Sequence, residues 1–234
     1  MTAGTLGTER VVRSDLNVWW RFGVPIVVLI VRTLFRVRVA GIHHVPLEGP
    51  AILAFVHVSV LDGPCLAAEV AWRRRRTVRF LVASEIFDQH VSGWFLRRYR
   101  QIPVNRGKSD AGALDEVIAT IRRGAVAAIA PEGTVNPTPG ELQRIRSGIA
   151  RIALATEAPV IPVGIWGTQR RWSKAGRRWS RPFRPRLGFA FGAPVQPRGD
   201  VSEQDDIDAF VALVGEALER QLTEARSLAG DLPL

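Results

Sequence analysis

The stretch FVHVSVLDGP, residues 55–64, sets His57 at the end of an apolar run and Asp62 five residues later. That pairing is one a proton-transfer site uses. A carboxylate that accepts from imidazole Nδ1–H fixes the tautomer, orients the ring and stabilises the imidazolium formed when Nε2 removes a proton. Ser59, between them, is placed to help hold the turn. A plainer reading fits the same residues: Asp62 caps a helix whose first turn takes Gly63 and Pro64, and His57 is a turn residue. The spacing alone leaves both open.

Three further blocks follow. Strand-like QIPV runs into NRG, residues 105–107; AVAAIA runs into PEGT, residues 131–134; VIPVGIW runs into GT, residues 167–168. In PEGT, Pro131 ends the strand, Glu132 offers a carboxylate, and Gly133 allows backbone N–H groups close to a phosphate or a developing oxyanion. Each block alone is an ordinary turn. Together they set Arg106, Glu132, Gly133 and Thr134 at strand ends like that of His57, the place where open α/β sheets bind ligands.

The elements that must position these blocks alternate between short β-rich runs and helical stretches. Strands are expected near 36–40, 51–56, 77–83, 101–104, 125–130, 159–165 and 186–191, and helices near 14–34, 62–73, 89–99, 109–122, 146–156 and 203–226. The implied class is α/β, a mostly parallel or mixed central sheet flanked by helices. An amphipathic, membrane-associated helical segment, residues 1–35, precedes one large domain of residues 36–234, without internal repeats.

In that first segment, WWRFGVPIVVLIVRTLFRVRV, residues 19–39, has an aliphatic core that Arg32 interrupts. A spanning helix needs roughly 20 apolar residues, so the run is too short to cross a bilayer, and no small-residue cleavage site marks it as a signal peptide. The expectation is an interfacial anchor, with Trp19 and Trp20 at headgroup depth and Arg21, Arg32, Arg36 and Arg38 on anionic lipid. The alternative is a helix that simply covers the domain, with Pro25 in its first turn or at a kink.

The net charge of +10 over 234 residues favours an anionic partner: a membrane face, a phosphorylated substrate or nucleic acid. The run WRRRR, residues 72–76, reads as a solvated connection, and RRWSKAGRRWSRPFRPR, residues 170–186, as a basic loop. Arginine interleaved with tryptophan suits stacked bases or a lipid interface, but no nucleic-acid recognition motif accompanies it, and nucleic acid is not the expected partner. Cys65, the single cysteine, excludes an internal disulfide and lies in a packed helical pattern. Ser59 lacks the GxSxG elbow of a hydrolase nucleophile. His43 and His44 point to opposite sides if extended, His90 reads as a surface residue, and no metal or prosthetic group is expected.

HVSVLD, PVNRG, APEGT and VIPVGIWG, in this order, resemble the glycerolipid acyltransferases typified by 1-acylglycerol-3-phosphate acyltransferase, with their HxxxxD block and PEGT-type loop. The resemblance covers roughly residues 35–195. It implies that His57 deprotonates the free hydroxyl of a lysophospholipid acceptor, that Asp62 orients His57, and that the oxygen attacks an acyl thioester, acyl-CoA or acyl-ACP, without an acyl-enzyme. It further implies a substrate-binding set of Ser59, Arg106, Glu132, Gly133 and Thr134, with Arg106 on the acceptor phosphate. No cofactor is implied beyond the acyl co-substrate, and the expected place is peripheral or monotopic on the cytoplasmic face of the cell membrane. Val56 stands where the family commonly has Asn and Val135 where it often has Arg, which leaves the acceptor's identity open. Another lysolipid acceptor, a basic nucleic-acid-binding protein and a non-catalytic lipid-binding protein are the alternatives.

Overall fold

The runs AILAF, VAAI and VIPVGIW hold no side chain that must reach water, and they form the three central strands of one sheet, buried on both faces. The structure, a computed structural model, describes residues 17–105, 111–177 and 183–231. Helix α1 (Val18–Leu34) leads into β1 (Arg36–Ala40) and β2 (Ala51–Phe55), followed by α2 (Asp62–Arg74), β3 (Val78–Ala83), α3 (Ser84–Phe87) and α4 (His90–Arg98). Then come β4 (Ile102–Val104), α5 (Ala111–Arg122), β5 (Val126–Ile129), α6 (Gly148–Thr156) and β6 (Val160–Trp166). A hairpin of β7 (Trp172–Ser173) and β8 (Gly176–Arg177), strand β9 (Arg186–Phe191) and helix α7 (Gln204–Leu228) complete the chain.

The sheet order is β1-β9-β6-β2-β5-β3-β4. Strands β6, β2, β5, β3 and β4 run parallel, whereas β9 is antiparallel to β6 and carries β1 parallel to itself. The sheet is therefore mixed, and the five parallel strands end on one edge. Register fixes which side chains go where: Leu53 lies opposite Ala128 and Ile161. On one face Ile52, Ala54, Ala127 and Val160 meet α5, α6 and α7; on the other Leu53, Phe55, Val126 and Ile161 meet α1 and α2. Full burial of each such Ile, Leu or Phe contributes about 1.5–3 kcal/mol.

Helix α1 begins at Asn17, whose side chain accepts from the Trp20 N–H at 3.2 Å and donates to the Arg98 carbonyl at 2.7 Å. Pro25 lies well inside the helix, not in its first turn. Trp20, Val24, Val28 and Val31 face the protein, while Phe22, Ile26 and Leu29 face outwards, so the helix is apolar on two sides. Two anchor expectations need correction. Trp20 is 3% exposed and packs edge-on against Tyr99, which puts it in the core and away from any headgroup layer. Arg32 is held by the buried Glu69 of α2 at 2.8 Å, because an isolated buried carboxylate is costly and the arginine supplies its partner.

Other expectations shift for physical reasons. The helix expected over 89–99 is α4, and a short helix not expected, α3, precedes it; Gly93 of α4 packs onto the Phe87 carbonyl at the end of α3, and Arg97 donates to that same oxygen at 2.8 Å. The run 72–76 is not a free connection. Arg73 pairs with Glu69, Arg74 donates to the Val45 carbonyl, and Arg76 donates to the carbonyls of Gly49 and Gly124, tying the loops at the starts of β2 and β5. His43 and His44 sit in a 3-10 turn with their rings 4.2 Å apart instead of opposed, and His44 Nδ1 bonds the Phe191 carbonyl. Part of the expected basic loop is the β7–β8 hairpin; residues 178–182 lie outside the described residues.

Candidate active site

Strand β2 ends at Phe55, and the loop 56–61 turns back over the sheet edge before α2 begins. Asp62 is the first residue of α2, with Leu61 as the cap, so the expected capping role does not hold. Its carboxylate reaches back into the loop instead. Oδ2 accepts from His57 Nδ1 at 2.9 Å and from the Val58 and Ser59 N–H groups at 2.7 Å each. Oδ1 accepts from the Thr168 hydroxyl at 2.5 Å. Asp62 and Thr168 are fully buried.

This arrangement decides the chemistry of the ring. A carboxylate only accepts, so the proton of neutral His57 sits on Nδ1 and Nε2 keeps its lone pair. The side chain of His57 is 18% exposed, enough for a reacting group to approach, and the edge of the Phe55 ring supports it at 5.5 Å between centroids. What results is a base whose orientation is set by a buried, four-times hydrogen-bonded partner.

Ser59, expected to bind substrate, has its hydroxyl committed within the protein. It is fully buried, its hydroxyl donates to the Trp172 carbonyl and accepts from the Leu61 N–H, and it ties the His57 loop to the hairpin. Cys65 is buried in α2, where burial first, and then the nearby Asp62 and Glu69, push its thiol far up. Neither residue is an available nucleophile.

The PEGT turn lies beside the same loop. Glu132, expected to help bind substrate, is 4% exposed and turned inwards. Burial pushes its pKa up to about 7, against the smaller lowering effects of the His57 and Gln143 backbone N–H groups, the His57 ring and the Asn136 amide, and neither oxygen has a partner at normal hydrogen-bond distance. Gly133 takes φ +76°, a left-handed conformation, and its N–H donates to the Ala130 carbonyl at 2.9 Å. The glycine therefore offers space and not a free donor. Thr134 is half-buried at the same turn. Arg106 lies outside the described residues.

Two residues that motif reading passed over as participants hold the loops together. Thr168 emerges just past β6 and completes the Asp62 shell. Asn136 is 1% exposed; its N–H donates to the His57 carbonyl at 2.7 Å, and its side chain donates to Glu141 O and accepts from the Thr138 N–H. The terminal Thr of VIPVGIWGT and the Asn-Pro step after PEGT were the available signals, but only a fold shows what they reach. Among the described residues no group of His, Cys, Asp or Glu is arranged to hold a metal ion.

A sequence profile of the family described as Acyltransferase matches residues 36–166, from β1 to the end of β6. The chain belongs to that family. An uncharacterized protein of Mycobacterium bovis is similar to this acyltransferase-family chain, 30% identical over 155 residues that make up 62% of this chain and 41% of the relative. A chloroplastic 1-acyl-sn-glycerol-3-phosphate acyltransferase of Brassica napus is 26% identical over 137 residues, 57% of this chain and 38% of the relative. The chain thus spans 41% of the length of the first of these curated relatives. The crystal structure of the 1-acyl-sn-glycerophosphate acyltransferase PlsC from Thermotoga maritima matches with a TM-score of 0.70 and 24% identity, over 89% of this chain and 81% of that one. At that identity the likeness is one of fold, and the mixed, helix-flanked sheet is that of the acyltransferase fold.

Proposed function

We propose that the chain transfers a fatty acyl group from an acyl thioester, acyl-CoA or acyl-ACP, to the free hydroxyl of a lysophospholipid, with 1-acylglycerol-3-phosphate as acceptor and phosphatidic acid as product. The observation that carries this reading is the accessible Nε2 of His57, with Nδ1 committed to the buried Asp62. Nε2 takes the hydroxyl proton as the acceptor oxygen bonds to the thioester carbonyl carbon. The tetrahedral intermediate then expels the thiolate, and the imidazolium returns its proton to sulfur. No protein nucleophile intervenes, consistent with the buried Ser59 and Cys65. The matched acyltransferase family and the Brassica napus relative support the choice of reaction and acceptor.

The acceptor and the product of such a reaction live in a bilayer, and the exposed face of α1 and α4 suits that setting. Phe22, Ile26 and Leu29 of α1 are 71%, 60% and 67% exposed, and Val91 of α4 is 73% exposed. Trp19 and Trp94 join the two helices edge-on at 5.0 Å, with the Arg98 guanidinium over both rings. No described helix is long and apolar enough to cross a membrane. The reading is a peripheral or monotopic attachment to the cytoplasmic face of an anionic membrane, with apolar side chains in the interface and Arg21, Arg36 and Arg38 on phosphates.

Free thiol released from palmitoyl-coenzyme A by the detergent-solubilised protein, with and without lysophosphatidic acid, tests the reaction. Acceptor-dependent release is expected. Release that is the same without acceptor would mean hydrolysis and would overturn the reading.

A further inference from the structure

The PEGT turn carries no cation of its own: residues 132–136 are Glu, Gly, Thr, Val and Asn. Yet a guanidinium lies on it. A Cβ on residue 133 would stand 2.6 Å from Arg146 Nε and 2.9 Å from Cζ, so the side chain of Arg146 occupies the space that the glycine leaves. The arginine is fixed there by its backbone, whose N–H donates to the Pro131 carbonyl at 3.0 Å. Two features of the sequence, a glycine in the left-handed region and an arginine 13 residues on, therefore make one feature of the surface.

That arginine is exposed, and among the described residues its guanidinium has no hydrogen-bond or ion-pair partner. Several other arginines of the chain are committed within the fold. Arg32, Arg73, Arg74, Arg76, Arg97 and Arg122 each bond a carboxylate or a carbonyl. The nearest acid of the turn, Glu132, is buried and titrates near neutrality, so it does not neutralise Arg146 below about pH 7.

Arg146 also stands at the wall of an apolar cavity of about 230 Å³, lined by Leu81, Val104, Ile129, Pro131 and Ile152. Val104 ends β4, and Pro131 leads into the PEGT turn that adjoins the His57 loop. A guanidinium at an apolar wall, on the turn that adjoins the His57 loop, suits an anionic head joined to hydrocarbon. The planar fork of a guanidinium binds a phosphate through two parallel hydrogen bonds.

We propose that Arg146 binds the phosphate monoester of the lysophospholipid acceptor, holding its headgroup on the PEGT turn within reach of His57. The assignment rests on the acceptor reading above. A phosphate could equally come from the coenzyme A donor, and the test separates the two sources.

Wild type, Arg146→Gln and Arg146→Lys are assayed by steady-state kinetics with lysophosphatidic acid and palmitoyl-coenzyme A each varied in turn, and glycerol 3-phosphate binding is measured directly by calorimetry. A charge-assisted hydrogen bond to phosphate is worth about 1.5–3 kcal/mol, so Arg146→Gln should raise the KM for lysophosphatidic acid roughly tenfold to a hundredfold. Glycerol 3-phosphate binding should weaken in parallel, the KM for palmitoyl-coenzyme A should move less than twofold, and Arg146→Lys should recover part of the loss. An unchanged acceptor KM in an active enzyme overturns the role of Arg146 and leaves acyl transfer standing, as does a rise confined to the donor. Wild type that turns over no lysophosphatidic acid overturns the acceptor reading instead; glycerol 3-phosphate binding that still depends on Arg146 would then support a phosphate site, and binding that does not would remove both.

Discussion

Thr168 Oγ1 donates to Asp62 Oδ1 at 2.5 Å, so the residue that follows β6 holds the oxygen of Asp62 that His57 does not use. The base, its orienting carboxylate and this hydroxyl come from two strand ends brought side by side by the β2–β6 pairing. The Val58 and Ser59 N–H groups complete the carboxylate's shell.

Thr168→Val keeps the shape of the side chain and removes the donor. It leaves a buried carboxylate oxygen unpaired, at a cost of about 1–3 kcal/mol in stability. Turnover should fall roughly tenfold, the rate equivalent of about 1.4 kcal/mol, with the acceptor KM little changed. Thr168→Ser should recover most of it. Wild-type kcat in the Val variant would show that the hydroxyl does not help to position Asp62.

Glu132 gives a pH signature with a definite sign. Its folded-state pKa, about 7, lies above the ordinary value of 4.5, because burial favours the neutral acid. The stability it contributes is full below about pH 4.5 and is lost as pH rises through about 7. Thermal melts between pH 5 and 8 should therefore show a decline in the wild type that Glu132→Gln flattens, with the variant the more stable of the two at pH 8. Parallel curves would mean that Glu132 does not titrate in this range.

How far these relationships were legible in the sequence depends on their range along the chain. The strand bounds 36–40 and 186–191 could be read directly, because a short β-rich run between turn residues has few alternatives. His57 and Asp62 were legible as a pair since one loop joins them. Thr168 was not legible as the partner of Asp62: the contact spans 106 residues and exists only because β2 and β6 are neighbours. The inward turn of Ser59 and Glu132 was hidden for a related reason. A polar residue in a functional-looking block gives no sign of which way it faces until the hairpin and the His57 loop close over it.

Helix α1 shows a different limit. It is apolar on both sides, so periodicity does not reveal which side packs. Trp20→Ala should cost about 3–5 kcal/mol, as for a core aromatic, and lower the melting temperature sharply. A near-neutral change would place Trp20 outside the core.

The outward face should behave in the opposite way. Phe22→Asp with Leu29→Asp alters residues 71% and 67% exposed and should leave stability within about 0.5 kcal/mol per site. Binding to vesicles of phosphatidylglycerol and phosphatidylcholine should weaken at least tenfold, since each large apolar side chain withdrawn from the interface forfeits about 1.5–3 kcal/mol. Equal sedimentation of variant and wild type with vesicles would show that this face does not meet the membrane.

The central claim is that His57 Nε2 is the base of an acyl transfer, and His57→Ala tests it most directly. General-base catalysis of this kind contributes roughly 10² to 10⁴ in rate. Lysophosphatidic-acid-dependent thiol release from palmitoyl-coenzyme A should therefore fall by at least about a hundredfold in a variant whose melting temperature stays close to that of the wild type. A folded His57→Ala protein that kept near-full turnover would contradict the account.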